Sequence, residues 1–308
     1  MIGIIIVSYK TVEQTVLYVQ RELCKISTEH RIVIVNVACN DETNMALTNE
    51  LQACIVDNID SVIDADAHIF ILPEPENIGY ARGNNLGAGF FNKHFEMDYY
   101  LISNNDLEFI HGDVVEQLIK KAEKLQNVGA IGPKVIGEDG RDQSPAKKMS
   151  IWKAIILPNM FYPLLYPFLK KGFFEDVVVE AREGFYAWIS GAFFIVNKNI
   201  FKAVNGFDPG TFLYAEEIIL SERMLNAGFS TYYLPSVSVL HKQEQGSKKE
   251  YKSIISTQKY SLTSKLYYYK KYCGTPNLSI MMARLAVEIF NKLYLPVIIL
   301  GRNIARKL

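Results

Sequence analysis

The stretch IGIIIVSY (residues 2–9) is an unbroken run of apolar, mostly β-branched residues that ends in a serine and a tyrosine. Such a run predicts a strand that is covered on both faces, as in a parallel sheet flanked by helices. The following segment, residues 12–26, carries its apolar residues at helical spacing. The beginning of the chain therefore predicts an α/β fold.

The alternation of strand and helix continues to about Gly137. It predicts a mainly parallel sheet with right-handed crossovers, whose ligand site lies at the carboxyl ends of the strands. Thr43 is expected to cap the second helix. The further predicted strands are residues 31–37, 67–74, 97–106 and 128–136, and the further predicted helices are residues 42–55, 81–95 and 113–126.

The second half of the chain has a different pattern. A stretch rich in proline and aromatic residues runs from about Gly137 to Phe174, and residues 187–204 predict a strand followed by a helix. Residues 231–241 predict a last strand. The final 60 residues predict helices that are interrupted at Gly274 and Pro276.

The charge is unevenly distributed although the chain has 33 basic and 33 acidic residues. Residues 246–308 contain 12 Lys and Arg but only two Glu. This asymmetry predicts an anionic partner, either a membrane surface or a polyanion; a solvated helical tail is the alternative. The tail has one aromatic-basic run, YYYKKY (267–272), but no recognisable nucleic-acid-binding module, so a nucleic-acid partner is not expected.

Cysteine usage and hydropathy indicate the expected compartment. The four cysteines are scattered without metal-ligand spacing, which favours a reducing, cytosolic environment. The amino terminus reads as a strand rather than a signal peptide. The uncharged stretch 154–169 is short and interrupted by prolines, and residues 293–300 are shorter still, so no membrane span is predicted.

Two stretches end or follow predicted strands and carry groups that bind phosphates and sugars. In SNND (103–106), Asp106 is placed to hold Mg²⁺ or Mn²⁺ on a substrate phosphate, although Asn and Asp are also common in turns. NIGYARGNNLG (77–87) offers amides, one arginine and glycines that let a ligand approach the backbone. Its glycine spacing fits neither a P-loop nor a dinucleotide fingerprint, and a helix-packing loop is the alternative.

Two further features carry titratable groups. Glu216 and Glu217 lie side by side in FLYAEEIILSERM (212–224), among aromatic residues. Burial beside a second carboxylate raises a pKa and favours a general base, whereas two acids in a first helical turn are also explained by the helix dipole. His241 ends the last predicted strand and is a possible metal ligand, although a single histidine is usually structural.

These motifs, together with WISGAFFIV (188–196) and NGFDPG (205–210), follow one another in an order that closely resembles the family 2 glycosyltransferases. The resemblance covers about residues 2–247 and is greatest to the bacterial rhamnosyltransferase-like branch. It implies a GT-A fold with a C-terminal helical extension. The implied units are a nucleotide-sugar-binding half (1–136), an acceptor and catalytic half (137–247) and a basic helical region (248–308).

The resemblance assigns roles to individual residues. Asp106 and His241 would hold a divalent cation, Glu217 would be the general base with Glu216 beside it, and Trp188, Ser190 and Gly191 would face the sugar. The chain departs from the family pattern at Asn36, Asn104 and Glu217, where the family carries Asp. The residues expected to bind the donor are Ser8, Tyr9, Asn36, Asn77, Gly79, Arg82, Asn84, Asn104, Asn105, Trp188, Ser190 and Gly191.

The implied activity is an inverting, metal-dependent transfer of a sugar, with L-rhamnose from dTDP-rhamnose as the first choice, in cell-surface polysaccharide synthesis. The implied acceptor is a saccharide or an undecaprenyl-diphosphate-linked saccharide, at the inner face of the bacterial plasma membrane. Residues 151–174 would then form a lipid-facing lip or a homodimer surface. The alternatives are a UDP-hexose or galactofuranose transferase and an inactive nucleotide-sugar-binding scaffold. An NAD-dependent enzyme is excluded because SYKTVEQ (8–14) lacks a glycine fingerprint.

Overall fold

The computed structural model describes residues 1–170, 172–242 and 251–305. Within these residues a single ten-stranded sheet forms the centre of the molecule. The strands are β1 (Ile2–Tyr9), β2 (His30–Val37), β3 (Cys54–Ile55), β4 (Ile69–Glu74), β5 (Tyr99–Ser103), β6 (Leu107–Phe109), β7 (Val128–Gly137), β8 (Gly184–Tyr186), β9 (Phe193–Asn197) and β10 (Ser230–His241).

The sheet has the order β3-β4-β2-β1-β5-β9-β7-β10-β6, and β8 pairs with β10. The strands β3, β4, β2, β1 and β5 run parallel, which confirms the parallel sheet predicted for the first half of the chain. Strand β9 pairs antiparallel with both β5 and β7, so the second half adds mixed strands to a parallel core.

The helices lie on the faces of the sheet and at its carboxyl-terminal edge. Two segments, residues 152–156 and 290–294, are turns of π-helix, and residues 23–25 form a short 3₁₀-helix. The α-helices are α1 (Val12–Arg21), α2 (Asp41–Leu51), α3 (Gly79–His94), α4 (Val114–Ala122), α5 (Leu157–Met160), α6 (Tyr162–Lys170), α7 (Lys198–Ala203), α8 (Glu216–Asn226), α9 (Tyr251–Lys271), α10 (Asn277–Ile289) and α11 (Leu295–Ala305).

Most predicted elements are present but differ at their ends, and the strands β3, β6 and β8 and the helices α5 and α6 were not predicted. Helix α2 stops at Leu51, because the chain then forms the short strand β3 within the segment predicted as helix. Its N-cap is Asn40 and not Thr43: the Asn40 side chain accepts from the Thr43 N–H, and the Thr43 hydroxyl accepts from the Asn40 N–H. Thr43 is therefore the N3 member of a capping box.

The apolar runs predicted as strands form the core on both faces of the sheet. Ile4 and Ile6 point into one cluster, whereas Ile5 points into the other, as the two-residue period of a strand requires. All three side chains are fully buried. This explains why β1 reads as a continuous apolar run rather than an alternating one.

The C-terminal helices pack on the remainder of the chain. A third apolar cluster joins Leu266 and Tyr269 of α9 and Ala283 of α10 to Ile156 and to Ile219 of α8. The helices predicted for the last 60 residues are thus confirmed. The predicted boundary at residues 247–248 lies outside the described residues.

The buried carboxylate of Asp208 also holds α9 against the rest of the chain. Asp208 of the NGFDPG stretch accepts hydrogen bonds from the Tyr267 and Tyr272 hydroxyls and from the Lys271 ammonium group. Burial by itself would raise the pKa of Asp208, but these bonds and one from the Gly210 N–H outweigh it and lower the pKa to about 2. Three side chains of the run YYYKKY therefore bind Asp208 within the same chain.

No helix in the described parts of the chain combines the length and apolarity needed to cross a bilayer.

Candidate functional site

The carboxyl ends of the central parallel strands bring the first predicted residues together. Ser8 on β1 lies opposite Asn36 on β2, and Ser103, at the end of β5, comes directly before Asn104. Ser8, Asn36 and the SNND stretch therefore share one edge of the sheet. Tyr9 is exposed at the same edge.

Several of the predicted polar groups bond to one another or to nearby residues of the same edge. Asn105 Nδ2 donates to Thr11 Oγ1 and Thr15 Oγ1 at 2.8 and 2.7 Å, and Ser8 Oγ lies 2.9 Å from Thr15 Oγ1. Sequence analysis missed Thr11 and Thr15, although their spacing of four at the start of α1 places both hydroxyls on one face. This network fixes the position of the SNND turn.

Asn36 takes part in a separate buried cluster. Its Nδ2 donates to Asn44 Oδ1 at 2.8 Å and to Thr43 Oγ1 at 3.3 Å, both on α2. Asn36 is buried, so its amide holds α2 against the end of β2.

The SNND turn borders a cavity of about 750 Å³, which is within the size range of small-molecule sites. Asn105 and Asp106 lie on one wall. Lys10, Arg21 and Lys242 contribute positive charge, and several acidic residues also line the cavity, among them Glu138. The predicted metal ligand is therefore accessible from a ligand-sized space.

Asp106 and His241 meet although 135 positions separate them in the chain, because β6 pairs antiparallel with the end of β10. His241 Nε2 lies 3.1 Å from Asp106 Oδ1. His241 Nδ1 donates to Gln143 Oε1 at 2.7 Å, and Nε2 lies 3.3 Å from Asn104 Nδ2.

This arrangement fits a divalent cation. Asp106 Oδ1 is buried and accepts no hydrogen bond from the described residues, and it lies 3.1 Å from His241 Nε2. A carboxylate oxygen and an imidazole nitrogen are ligands that Mn²⁺ accepts, with substrate phosphate oxygens completing the set. No group of three or more His, Cys, Asp or Glu suited to a metal occurs in the described ranges.

The two glutamates begin α8 immediately after a sharp turn. Tyr214 and Ala215 both have left-handed backbone conformations, with φ of 73° and 67°, which is unusual for residues other than glycine. Such conformations cost about 1–3 kcal/mol each and cluster at functional sites. Here they bring Glu216 and Glu217 to the start of a buried helix.

The glutamates differ in environment. Glu216 is only 3% exposed, and its Oε1 has no partner in the described structure. Burial, followed by the charge of Glu217, raises the pKa of Glu216 to about 8, so Glu216 is mainly protonated at pH 7. Burial also raises the pKa of Glu217, but the charge of Lys265 acts in the opposite direction.

Glu217 faces the WISGAFF stretch. A Cβ atom at Gly191 would lie 3.4 Å from Glu217 Oε2, so the backbone of Gly191 forms one wall beside the carboxylate. The neighbouring Ala192 carbonyl accepts from the Asn104 N–H at 2.8 Å. The WISGAFF stretch thereby connects Glu217 with the SNND turn.

Tyr80, which sequence analysis missed, lies between the two acidic regions. Its hydroxyl donates to the Gly191 carbonyl at 2.8 Å. Burial raises the pKa of Tyr80, and the charges of Glu216, Glu217 and Asp106 raise it further. Through Gly191, which lies against Glu217, Tyr80 is connected to the start of α8.

The NIGYARGNNLG stretch forms the entry to α3. Asn77 Oδ1 accepts from the Gly79 N–H, and Gly79 has φ of +80°. A Cβ atom at Gly79 would lie 2.4 Å from the Phe212 carbonyl oxygen, so only glycine fits here. Asn84 is fully buried, and Arg82 is exposed.

The remaining predicted residues of the WISGAFF stretch are partly buried. Trp188 pairs with Ala146 through backbone hydrogen bonds, and the Ser190 N–H donates to Ser144 Oγ at 3.1 Å. Ser190 and Gly191 lie just before β9, beside the carboxyl end of β5.

A comparison with protein-family models gives no match for this chain. Among curated proteins, the chain is similar to N-acetylglucosaminyl-diphospho-decaprenol L-rhamnosyltransferase from two strains of Mycobacterium tuberculosis, with 29% identity over 185 residues, 56% of this chain and 59% of the relative. It is also similar to rhamnosyltransferase WbbL of Escherichia coli K12, with 24% identity over 166 residues, 53% of this chain and 60% of the relative. The alignments thus span less than two thirds of either relative.

Two solved structures have similar folds. The mannosyltransferase PcManGT from Pyrobaculum calidifontis, in complex with GDP-Man and Mn²⁺, matches with a TM-score of 0.56 and 14% identity, over 99% of this chain and 79% of that chain. GalNAc-T7 with UDP, GalNAc and Mn²⁺ matches with a TM-score of 0.53 and 14% identity, over 96% of this chain and 56% of that chain.

These findings confirm two expectations. The solved glycosyltransferase structures confirm the α/β GT-A fold, which is all that their low identity can show. The curated relatives confirm the resemblance to rhamnosyltransferase-like glycosyltransferases.

Proposed function

We propose that this chain is an inverting glycosyltransferase that moves a sugar from a nucleoside diphosphate to a hydroxyl group of a saccharide or lipid-linked saccharide. The observation that carries the proposal is that residues 191 and 192 connect the two acidic regions: Gly191 lies against Glu217, and the Ala192 carbonyl accepts from the Asn104 N–H two residues before Asp106. L-rhamnose from dTDP-rhamnose is the proposed donor sugar, because the curated relatives are rhamnosyltransferases.

In the proposed reaction Glu217 removes the proton of the acceptor hydroxyl. The acceptor oxygen then forms a bond to the anomeric carbon from the face opposite the leaving group. The bond from that carbon to the phosphate oxygen breaks, and its electron pair leaves with the nucleoside diphosphate. One displacement inverts the anomeric carbon, and no covalent intermediate on the protein is required.

Asp106 and His241 are proposed to hold a divalent cation at the other side of the reacting carbon. When bound, Mg²⁺ or Mn²⁺ would neutralise the charge that develops on the departing diphosphate. Gln143 holds the His241 ring, since its carbonyl oxygen fixes the proton on Nδ1. Tyr80 fixes the position of Gly191 beside Glu217.

The donor residues are proposed to act from the same edge of the sheet. Tyr9 and Arg82 are exposed and can contact the nucleotide directly. Ser8, Asn36 and Asn105 bond to neighbouring protein groups, so they are proposed to shape the donor site.

A donor panel tests the proposed function. With Mn²⁺ or Mg²⁺, dTDP-rhamnose at about 100 times its Kd is expected to stabilise the protein by about 2.7 kcal/mol, a rise in Tm of several degrees. Chelation of the metal should remove most of this shift. Addition of a saccharide acceptor should release dTDP. A larger thermal shift with UDP-hexose or UDP-galactofuranose would identify that nucleotide sugar as the donor. Binding without any release of nucleotide would indicate an inactive scaffold.

Peripheral attachment to the inner face of the plasma membrane is part of the proposal. The segment 161–173 and helices α10 and α11 expose large apolar side chains, including Leu164 at 75% and Val297 at 68% exposure. Tyr162 packs on Phe290 and Tyr294, so these exposed groups come from touching elements. Basic residues of the tail would face anionic headgroups; Lys248, Lys249, Arg306 and Lys307 lie outside the described residues.

Vesicle flotation tests the attachment. The chain is expected to float with phosphatidylglycerol vesicles, and replacing Leu164, Phe168, Leu293 and Val297 by serine should lower the bound fraction at least about tenfold, because apolar area is lost from the interface. Val62→Ser, a fully exposed position between β3 and β4, is the control. Unchanged flotation of the quadruple variant would contradict the proposal, and dissociation of a dimer by that variant would assign the surface to self-association.

A further inference from the structure

A cavity of about 320 Å³ lies between α9 and the segment that includes α5. Tyr214, two residues before Glu216, forms part of its wall. Polar groups on the opposite walls come from Asn159, Gln258 and Ser261. The volume is near the lower end for a small-molecule site and suffices for one monosaccharide unit or its phosphate.

Lys265 connects this cavity with the glutamate pair. It lines the cavity and also a smaller neighbouring space, which Trp188 and Ile218 share. Ile218 follows Glu217 directly, and the charge of Lys265 acts on the Glu217 carboxyl group. Lys265 therefore lines both spaces, and the smaller one reaches the residue that directly follows the proposed general base.

Two polar side chains that line the cavity, Lys265 and Gln258, lack an ion-pair or hydrogen-bond partner among the described residues. No carboxylate of the described residues lies within ion-pair distance of the partly buried Lys265 ammonium group. Gln258 Oε1 is buried and has no hydrogen-bond donor in the described parts of the chain. A cation without an ion-pair partner among the described residues favours an anionic group, and an unsatisfied amide oxygen favours a hydrogen-bond donor such as a sugar hydroxyl or N–H group.

Aromatic side chains line this cavity or precede its lining residues in the chain: Tyr214 lines it, Phe212 lies two residues before Tyr214, and Tyr260 directly precedes Ser261. Tyr214 is 38% exposed, and the rings of Phe212 and Tyr260 pack together with their centroids 5.2 Å apart while remaining partly exposed. Rings of this kind present flat apolar faces on which the C–H groups of a sugar can pack. The region thus offers a sugar-binding face next to a phosphate-binding cation.

We propose that this cavity is the acceptor subsite and that it binds a sugar 1-phosphate or 1-diphosphate group. The sugar lies between Glu217 and Tyr214, and its phosphate pairs with Lys265 while Gln258 and Ser261 bind the remaining polar atoms. This inference rests on the proposed function, because the acceptor bound in the cavity is the molecule that Glu217 deprotonates. It also gives α9 a role in specificity.

Calorimetric titration with N-acetylglucosamine 1-phosphate tests the subsite on the full chain. Lys265→Met is expected to raise the Kd about tenfold to hundredfold, since a hydrogen bond to a charged group is lost. Lys265→Arg should retain most of the affinity. Lys259→Met, an exposed lysine on the same helix, is the matched control and should leave the affinity unchanged. Neutral N-acetylglucosamine and inorganic phosphate should each bind more weakly than the sugar phosphate.

A second variant distinguishes the loss of a ligand contact from a folding defect. Ser261→Trp should fill the cavity and abolish binding of the sugar phosphate without removing the cation, and thermal melting establishes that each variant is folded. A prenyl-diphosphate-linked sugar that binds at least about tenfold more tightly than the sugar phosphate would identify a lipid-linked acceptor. Equal affinity would identify a free sugar phosphate.

The possible failures are distinguishable. A wild-type chain that transfers sugar, but whose affinity for the sugar phosphate is absent or insensitive to Lys265→Met and Ser261→Trp, would overturn the subsite alone. A wild-type chain that binds the sugar phosphate at Lys265 but turns over no nucleotide sugar would overturn the proposed function and leave the binding site standing.

Discussion

Glu217→Gln is expected to lower the turnover number for sugar transfer by about 10²- to 10⁴-fold, the usual contribution of a general base. The amide is nearly isosteric but cannot accept the proton of the acceptor hydroxyl. The Kd for the nucleotide sugar should be nearly unchanged, because the base acts on the acceptor. Steady-state transfer assays and donor titrations with the same preparation measure both quantities.

The variant Glu216→Gln tests the competing assignment, in which Glu216 is the general base. Burial raises the pKa of both glutamates, but Glu216 is only 3% exposed, whereas Glu217 is partly exposed beside Gly191. An acceptor hydroxyl therefore reaches Glu217 more readily, and replacement of Glu216 should have the smaller effect. Glu50→Gln, an exposed acid on α2, controls for loss of a negative charge. If Glu216→Gln abolished transfer and Glu217→Gln retained it, the base would be Glu216.

Asp106→Asn is expected to weaken metal-dependent donor binding by more than about 10²-fold, because even partners that only orient metal ligands contribute about 10- to 100-fold. Titration of Mn²⁺ and of the nucleotide sugar, each in the presence of the other, measures this loss. Gln143→Leu should cause the smaller, 10- to 100-fold effect, since it frees the His241 ring without removing a ligand.

Glu138→Gln provides the matched control for Asp106, because Glu138 lines the same cavity. Its replacement removes a similar charge but no proposed metal ligand, so the affinity for Mn²⁺ should remain unchanged. Donor affinity that depends neither on Asp106 nor on a divalent cation would remove the proposed metal site and leave the assignment of Glu217 intact.

Much of the site could be anticipated from local sequence signals. Asp106 follows a buried strand, and in a parallel sheet that position opens into the ligand crevice. Glu216 and Glu217 stand out because two adjacent acids in an apolar, aromatic setting are costly to bury. In each case the signal lies within about ten residues of the chain.

Other residues of the site carry no comparable signal. Tyr80 is one of many aromatic residues in the chain, and its importance comes from contact with Gly191, 111 positions away. Lys265 reads as one more cation of a basic tail, yet it lines a cavity and a second space next to Ile218 of α8, because α9 packs against α8. Asp208 likewise gains its role from Tyr267, Lys271 and Tyr272.

The sequence by itself determined most of the strands and helices and the sheet edge at which ligand groups collect, because hydrophobic periodicity and turn residues act over short distances along the chain. Only the tertiary structure decided which of those groups meet. The pairing of β6 with β10 joins Asp106 to His241, and the packing of α9 on α8 brings Lys265 to a space next to Ile218, the residue after Glu217. Contacts of this kind depend on strand order and helix packing across more than 40 positions, which no local pattern of residues encodes.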